Sequence, residues 1–166
     1  MIDWSAVEIG DEHEIALRAY LVDGPETWLS LQNELVVPQT AAGYTQVIQT
    51  AFGIAVTRRF SPTYNIHQII RYVADVRLQL QGPGQAFNPR VAENLIRRYL
   101  ADPSLPEETE PVEVKDAEQE SLALITLLYL LVNDEERDEG WLNEFVREAG
   151  NAARQWLSAH QATAAN

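Results

Sequence analysis

A chain of 166 residues with 46% hydrophobic side chains and no cysteine is long enough to bury a core without staples, and it has no route to disulfides, thiolate metal sites or cysteine nucleophiles. A formal charge of −13 works against indiscriminate attraction to nucleic acid or anionic lipid, which needs local positive potential. The opening residues lack the basic start and apolar stretch of a signal peptide, and the longest apolar run, 122–132, is too short to cross a bilayer; the expectation is a cytoplasmic protein with no membrane association.

Asp11, Glu12 and Glu14 favour a helix N-terminus by opposing its dipole, and Ile15, Ala16, Ala19 and Tyr20 follow at helical spacing. Pro25 suits the first turn of a second helix running to about 37, with Trp28, Leu31 and Leu35 as its apolar stripe and Pro38 as its stop. Thr40 is a candidate N-cap for a helix reaching about 60, with Tyr44, Val47, Ile48, Ala51, Phe52 and Ala55 on one face. Beyond a break at 61–65, Ile66, Ile69, Ile70, Val73, Val76 and Leu80 recur every three or four residues, the pattern of an amphipathic helix that Gly82-Pro83-Gly84 ends. Asn88-Pro89 restarts helix with a cap and a proline in the first turn, and Val91, Leu95, Ile96 and Tyr99 are expected to face inward.

The stretch 101–120 holds three prolines and many acids with few large apolar side chains, the composition of a mobile, solvated loop. The run 122–132 is apolar on every side, as a helix surrounded by others should be. An acidic turn at 133–140 leads to a last amphipathic helix defined by Trp141, Leu142, Phe145, Val146, Ala149, Ala153, Trp156 and Leu157, with 161–166 as a frayed tail. No run alternates strictly and no Asn-Gly or Asp-Gly joins two β-branched segments, so hairpins have no support. The expected fold is all-α: an irregular bundle of six or seven helices packed around a central hydrophobic helix at about 121–133, forming a single domain over 1–160.

The chemistry-bearing residues are sparse. His13, His67 and His160 lack the paired helical spacing of a metal site. Asp11-Glu12-His13-Glu14 sets hard ligands side by side, but neighbours on a helix point about 100° apart and do not converge, so the segment reads as a solvated first turn. The acidic turn at 133–140 fails as a calcium loop because Arg137 and Val146 fall where ligands are required. No serine sits in a glycine-flanked elbow, and Gly82-Pro83-Gly84 is too short to cradle phosphate. No catalytic residue, metal or cofactor is expected, and the chain reads as a non-enzyme. Trp28, Trp141 and Trp156 fall on core stripes, whereas Trp4, ahead of the first helix, is the tryptophan placed to contact a partner or cap a groove.

The charge is divided along the chain. Between 57 and 98 lie Arg58, Arg59, Arg71, Arg77, Arg90, Arg97 and Arg98 against Asp75 and Glu93, a net +5, which leaves −18 for the remainder. Arg58-Arg59 and Arg97-Arg98 lie near helix ends, where they relieve the dipole or pair with acids of the same chain; otherwise Arg58, Arg59, Arg71, Arg77, Arg97 and Arg98 form a patch for an anionic partner. Three functions follow. The first is a non-catalytic helical binding or adaptor module, an acidic inhibitor or chaperone of a basic protein partner, or an assembly of copies of itself. The second is a nucleic-acid-binding regulator using 57–98, whose helices at about 41–60 and 66–81 faintly imitate a helix-turn-helix. The third is an enzyme whose site converges only in three dimensions.

Overall fold

The computed structural model describes residues 2–60, 63–80, 88–101, 114–133 and 138–164. These form a one-turn 3-10 helix (Trp4–Ala6) and seven α-helices with no strand among them: α1 (Asp11–Asp23), α2 (Pro25–Glu34), α3 (Pro38–Phe60), α4 (Ile66–Gln79), α5 (Pro89–Tyr99), α6 (Val114–Asn133) and α7 (Glu139–Ala164). The fold is an all-α helical bundle. The chain divides into two compact units: Met1–Ile54 with Val132–Asn166, and Ala55–Leu131.

In the first unit, α1 packs against α2 and α7, and the 3-10 turn packs against α7. Gly24 separates α1 from α2 at φ +113°, a backbone region that glycine enters without steric cost; Pro25 then opens α2 at its first position. Proline's two uses explain one correction. Pro38 does not stop α2, which ends at Glu34 with Leu35 as its cap; it begins α3, where its missing N–H costs nothing. Thr40 accordingly sits inside the first turn of α3 rather than capping it.

The register of α1 is a second correction. Its buried residues are His13, Leu17, Tyr20 and Leu21, while Ile15 is 69% exposed. His13 is thus not part of a solvated turn. The Gly10 N–H donates to its Nδ1 at 3.0 Å, so the ring satisfies an orphan donor at the helix start. Tyr44 lies against the imidazole at 4.3 Å between ring centroids. A Cβ on Gly43 would fall 2.8 Å from His13 Nε2 and 3.1 Å from the Glu8 carbonyl oxygen, so only glycine admits α3 this close. Burial holds the His13 imidazole below its ordinary value, a fall that Arg154 reinforces and Glu12 partly opposes. The unfolded chain therefore takes up a proton near pH 6.5 that the folded chain refuses. Stability is expected to be flat above that pH and to fall as the solution is acidified through the lower folded value; His13→Gln, which keeps an acceptor for Gly10, should flatten this dependence in urea titrations at pH 7.5 and 5.5.

The second unit takes its core from α4, α5 and α6 with the end of α3. Asn65 caps α4, its side chain accepting from the Gln68 N–H at 2.9 Å while Gln68 accepts from the Asn65 N–H at 3.1 Å. Asn88 caps α5 through the Arg90 N–H at 3.0 Å. α4 packs on α5, burying Ile69, Val73 and Val76 with Ala92, Leu95 and Ile96. α6 begins at Val114, so the expected loop at 101–120 is helix over its last seven residues; residues 102–113 lie outside those described. From 121 to 132 no residue of α6 is exposed, and Ala123, Leu124, Ile125, Leu127, Leu128 and Leu131 are buried, as the all-round apolar run predicts.

The tail expected to fray after His160 instead continues in helix to Ala164. Gln161 holds it, donating from Nε2 to the carbonyl oxygens of Trp4 at 2.8 Å and Val7 at 3.1 Å. The acidic turn at 133–140 falls mainly on 134–137, outside the described residues. Within it, Asp138 accepts from the Trp141 N–H at 2.8 Å and so caps α7.

Candidate functional site

All six arginines of the expected patch lie in the second unit, and their surroundings differ. Arg98 donates to Glu120 on α6 at 2.7 Å, an ion pair supplied by the stretch read as loop. Arg59 lies over the Phe60 and Tyr72 rings, 5.7 and 5.5 Å from their centroids, a seat worth about 0.5–1 kcal/mol at an exposed site. Arg58 and Arg97 make contacts of their own. Arg71 and Arg77, both exposed on α4, have no ion-pair partner among the described residues.

These two arginines share α4 with an unusual set of neighbours. The helix buries Ile69, Tyr72, Val73 and Val76, which turns the opposite side to solvent. On a 3.6-residue helix, Ile66, Ile70, Ala74 and Leu78 fall together with His67, Arg71 and Arg77 within a sector of roughly 140° opposite that buried stripe. Ile66, Ile70 and Leu78 are exposed, Leu78 to 63%, although Ile66 and Ile70 were expected inside. Asp75 marks the rim, and no acid lies within the sector. The face is apolar and cationic.

The outward side of α1 has the opposite sign. Ile15, Ala19 and Val22 fall with Asp11, Glu12 and Asp23 within a sector of roughly 120°. Ile15 and Val22 are 69% and 54% exposed. Arg18 borders this sector, but its guanidinium is turned to α7, with Nε donating to Asn143 at 2.8 Å and an amino group 3.3 Å from Glu139. Arg154 binds Glu14 and the Ile9 carbonyl and stands 3.9 Å from Asp11. The solvent side of α1 thus presents apolar side chains bordered by carboxylates.

Trp4, expected to meet a partner, is engaged within the chain: its ring stands edge-on to Trp156 at 5.2 Å and to His160 at 5.4 Å. Trp28 is buried as expected and Trp141 is half-buried against Phe145, but Trp156 is 39% exposed, stacked on His160 rather than sunk in the core. Composition and spacing missed the α1 and α4 faces because both helices carry more apolar residues than one stripe can bury. The signal was present as that surplus.

Compared with known protein families, with curated proteins and with solved structures, the chain matches none significantly.

Proposed function

We propose that this protein is a non-catalytic helical binding module with two docking faces of opposite charge, an anionic one on α1 for a basic amphipathic segment and a cationic one on α4 for an acidic amphipathic segment. The observation that carries the reading is the exposure of Ile15 and Val22 on α1 and of Ile66, Ile70 and Leu78 on α4, each set sharing its sector with charges of a single sign, while Arg18 and Asp75 stand outside the two sectors at their margins. Exposed apolar residues set in a polar rim are the composition of a protein interface, and an apolar helix face with matched charges is how amphipathic helices recognise one another. The anionic face is the one suited to inhibiting or chaperoning a basic protein.

Nucleic acid fits α4 less well. Charge-driven binding draws on about 6–10 phosphate contacts, whereas Arg59 and Arg98 are already engaged, and base-edge readout does not use a face half made of aliphatic side chains.

Fluorescence anisotropy with three labelled probes tests the proposal: an amphipathic Leu/Glu helix, a Leu/Lys helix of equal length, and a 20-base-pair duplex. Both peptides should bind. Arg71→Glu with Arg77→Glu should weaken the acidic peptide by roughly tenfold, about 1.4 kcal/mol, without weakening the basic one. Retention of the duplex alone at low salt would transfer the reading to nucleic acid, and failure to bind either peptide would end it.

A further inference from the structure

We infer that the two faces are partners of each other across copies of this chain: the anionic α1 face of one molecule docks on the cationic α4 face of a second. The inference rests on the docking-face reading above and names the occupant.

Complementarity on three counts supports it. The first is sign: Asp11, Glu12 and Asp23 border one face, and Arg71 and Arg77 the other, with His67 beside them. The second is shape. Each face is one helix side whose apolar residues are aliphatic, at 15, 19 and 22 on α1 and at every fourth position from 66 to 78 on α4, so ridges of one enter grooves of the other. The third is length. From Asp11 to Asp23 and from Ile66 to Leu78 there are twelve residue steps each, about 18 Å of helix, so the two faces are equally long, and Arg71 and Arg77, six steps or about 9 Å apart, fall within the span from Asp11 to Asp23. Ile15, Val22, Ile66, Ile70 and Leu78 are exposed in the isolated chain, and pairing would remove them from water together.

The contact is necessarily modest. Two single helix faces bury less than the roughly 1,200–2,000 Å² of a standard stable interface, so association is reversible and concentration-dependent. A charge of −13 on every copy opposes approach at long range, but at about 0.15 M salt screening acts beyond about 8 Å and leaves charges in direct contact largely paired. Because the two faces differ, the contact is heterologous; it closes into a symmetric dimer if both pairs form at once and otherwise into a ring or an open chain of molecules.

Sedimentation velocity of the full chain from about 1 µM to about 1 mM in 0.15 M salt tests this. The mass should rise above 18.7 kDa with concentration. Arg71→Glu with Arg77→Glu should hold the chain at monomer mass, and so should Asp11→Arg with Asp23→Arg; these residues are exposed, so circular dichroism should show the helices retained, with no more than fraying of the first turn of α1 where Asp11 no longer opposes the dipole. Mixing the two double variants restores opposite signs at both contacts, and association should return. A monomer at every concentration overturns the inference, as does assembly that ignores either charge reversal or variants that fail to rescue each other. If the wild-type chain stays monomeric yet still binds the Leu/Glu peptide, the binding-module reading survives and only the second copy is lost.

Discussion

Trp28→Ala is expected to cost about 3–5 kcal/mol, the range for emptying an aromatic site in a packed core. The indole is 1% exposed, with the Tyr20 ring centroid at 5.7 Å and that of Tyr44 at 6.2 Å, and Tyr44 in turn lies on His13. Removing Trp28 therefore opens a cavity among aromatic rings that hold α1, α2 and α3 in register, and these rings are too large to collapse into it. Trp28→Phe should cost much less. Its Nε1 is buried with no hydrogen-bond partner among the described residues, so phenylalanine gives up volume but also relieves a desolvated donor. Urea unfolding of the three proteins reads the order; equal losses for Ala and Phe would mean that the indole N–H makes a hydrogen bond whose loss outweighs the volume.

Leu128→Ala should rank next, at about 2–5 kcal/mol. Leu128 is fully buried in α6, and Leu124, Leu127 and Leu131 beside it are buried too. Leu130, two positions on, is only half-buried, and Leu130→Ala should cost at least about 1 kcal/mol less because it removes less buried area and leaves a site open to water. Thermal melts of the pair test the orientation of α6 directly. A Leu130 loss as large as that of Leu128 would mean the helix is turned from the position described.

The elements most legible from sequence were those with chemical punctuation. Asn65 with Gln68, and Asn88 with Pro89, are local signals that act before any tertiary contact, and α4 and α5 start where they stand. Elements whose limits depend on distant partners were misread. The first turns of α6 are acidic and carry almost no apolar residue, so nothing in 114–120 announces a helix; Glu120 earns its place by meeting Arg98. Likewise, α7 extends past His160 because Gln161 finds two carbonyls near the other end of the sequence. The candidate site was half visible. Clustering of arginine was plain, but an apolar count cannot say which of two competing stripes goes inside, and in α1 and α4 the choice was made by packing: Leu17, Tyr20 and Leu21 in place of Ile15, and Ile69, Val73 and Val76 in place of Ile66 and Ile70.

The link from Gln161 back to Trp4 and Val7 also sets an order of events. One compact unit is written in two pieces, 1–54 and 132–166, with the whole of 55–131 between them. A ribosome that has released α1, α2 and most of α3 has still to make 77 residues before the strip that covers them exists, so Leu17, Tyr20 and Leu21 wait uncovered on the side where α7 belongs. Lengthening the intervening stretch would raise the entropic cost of closure only slowly, by about 0.6 kcal/mol per doubling, but it would prolong that wait in direct proportion to the residues added.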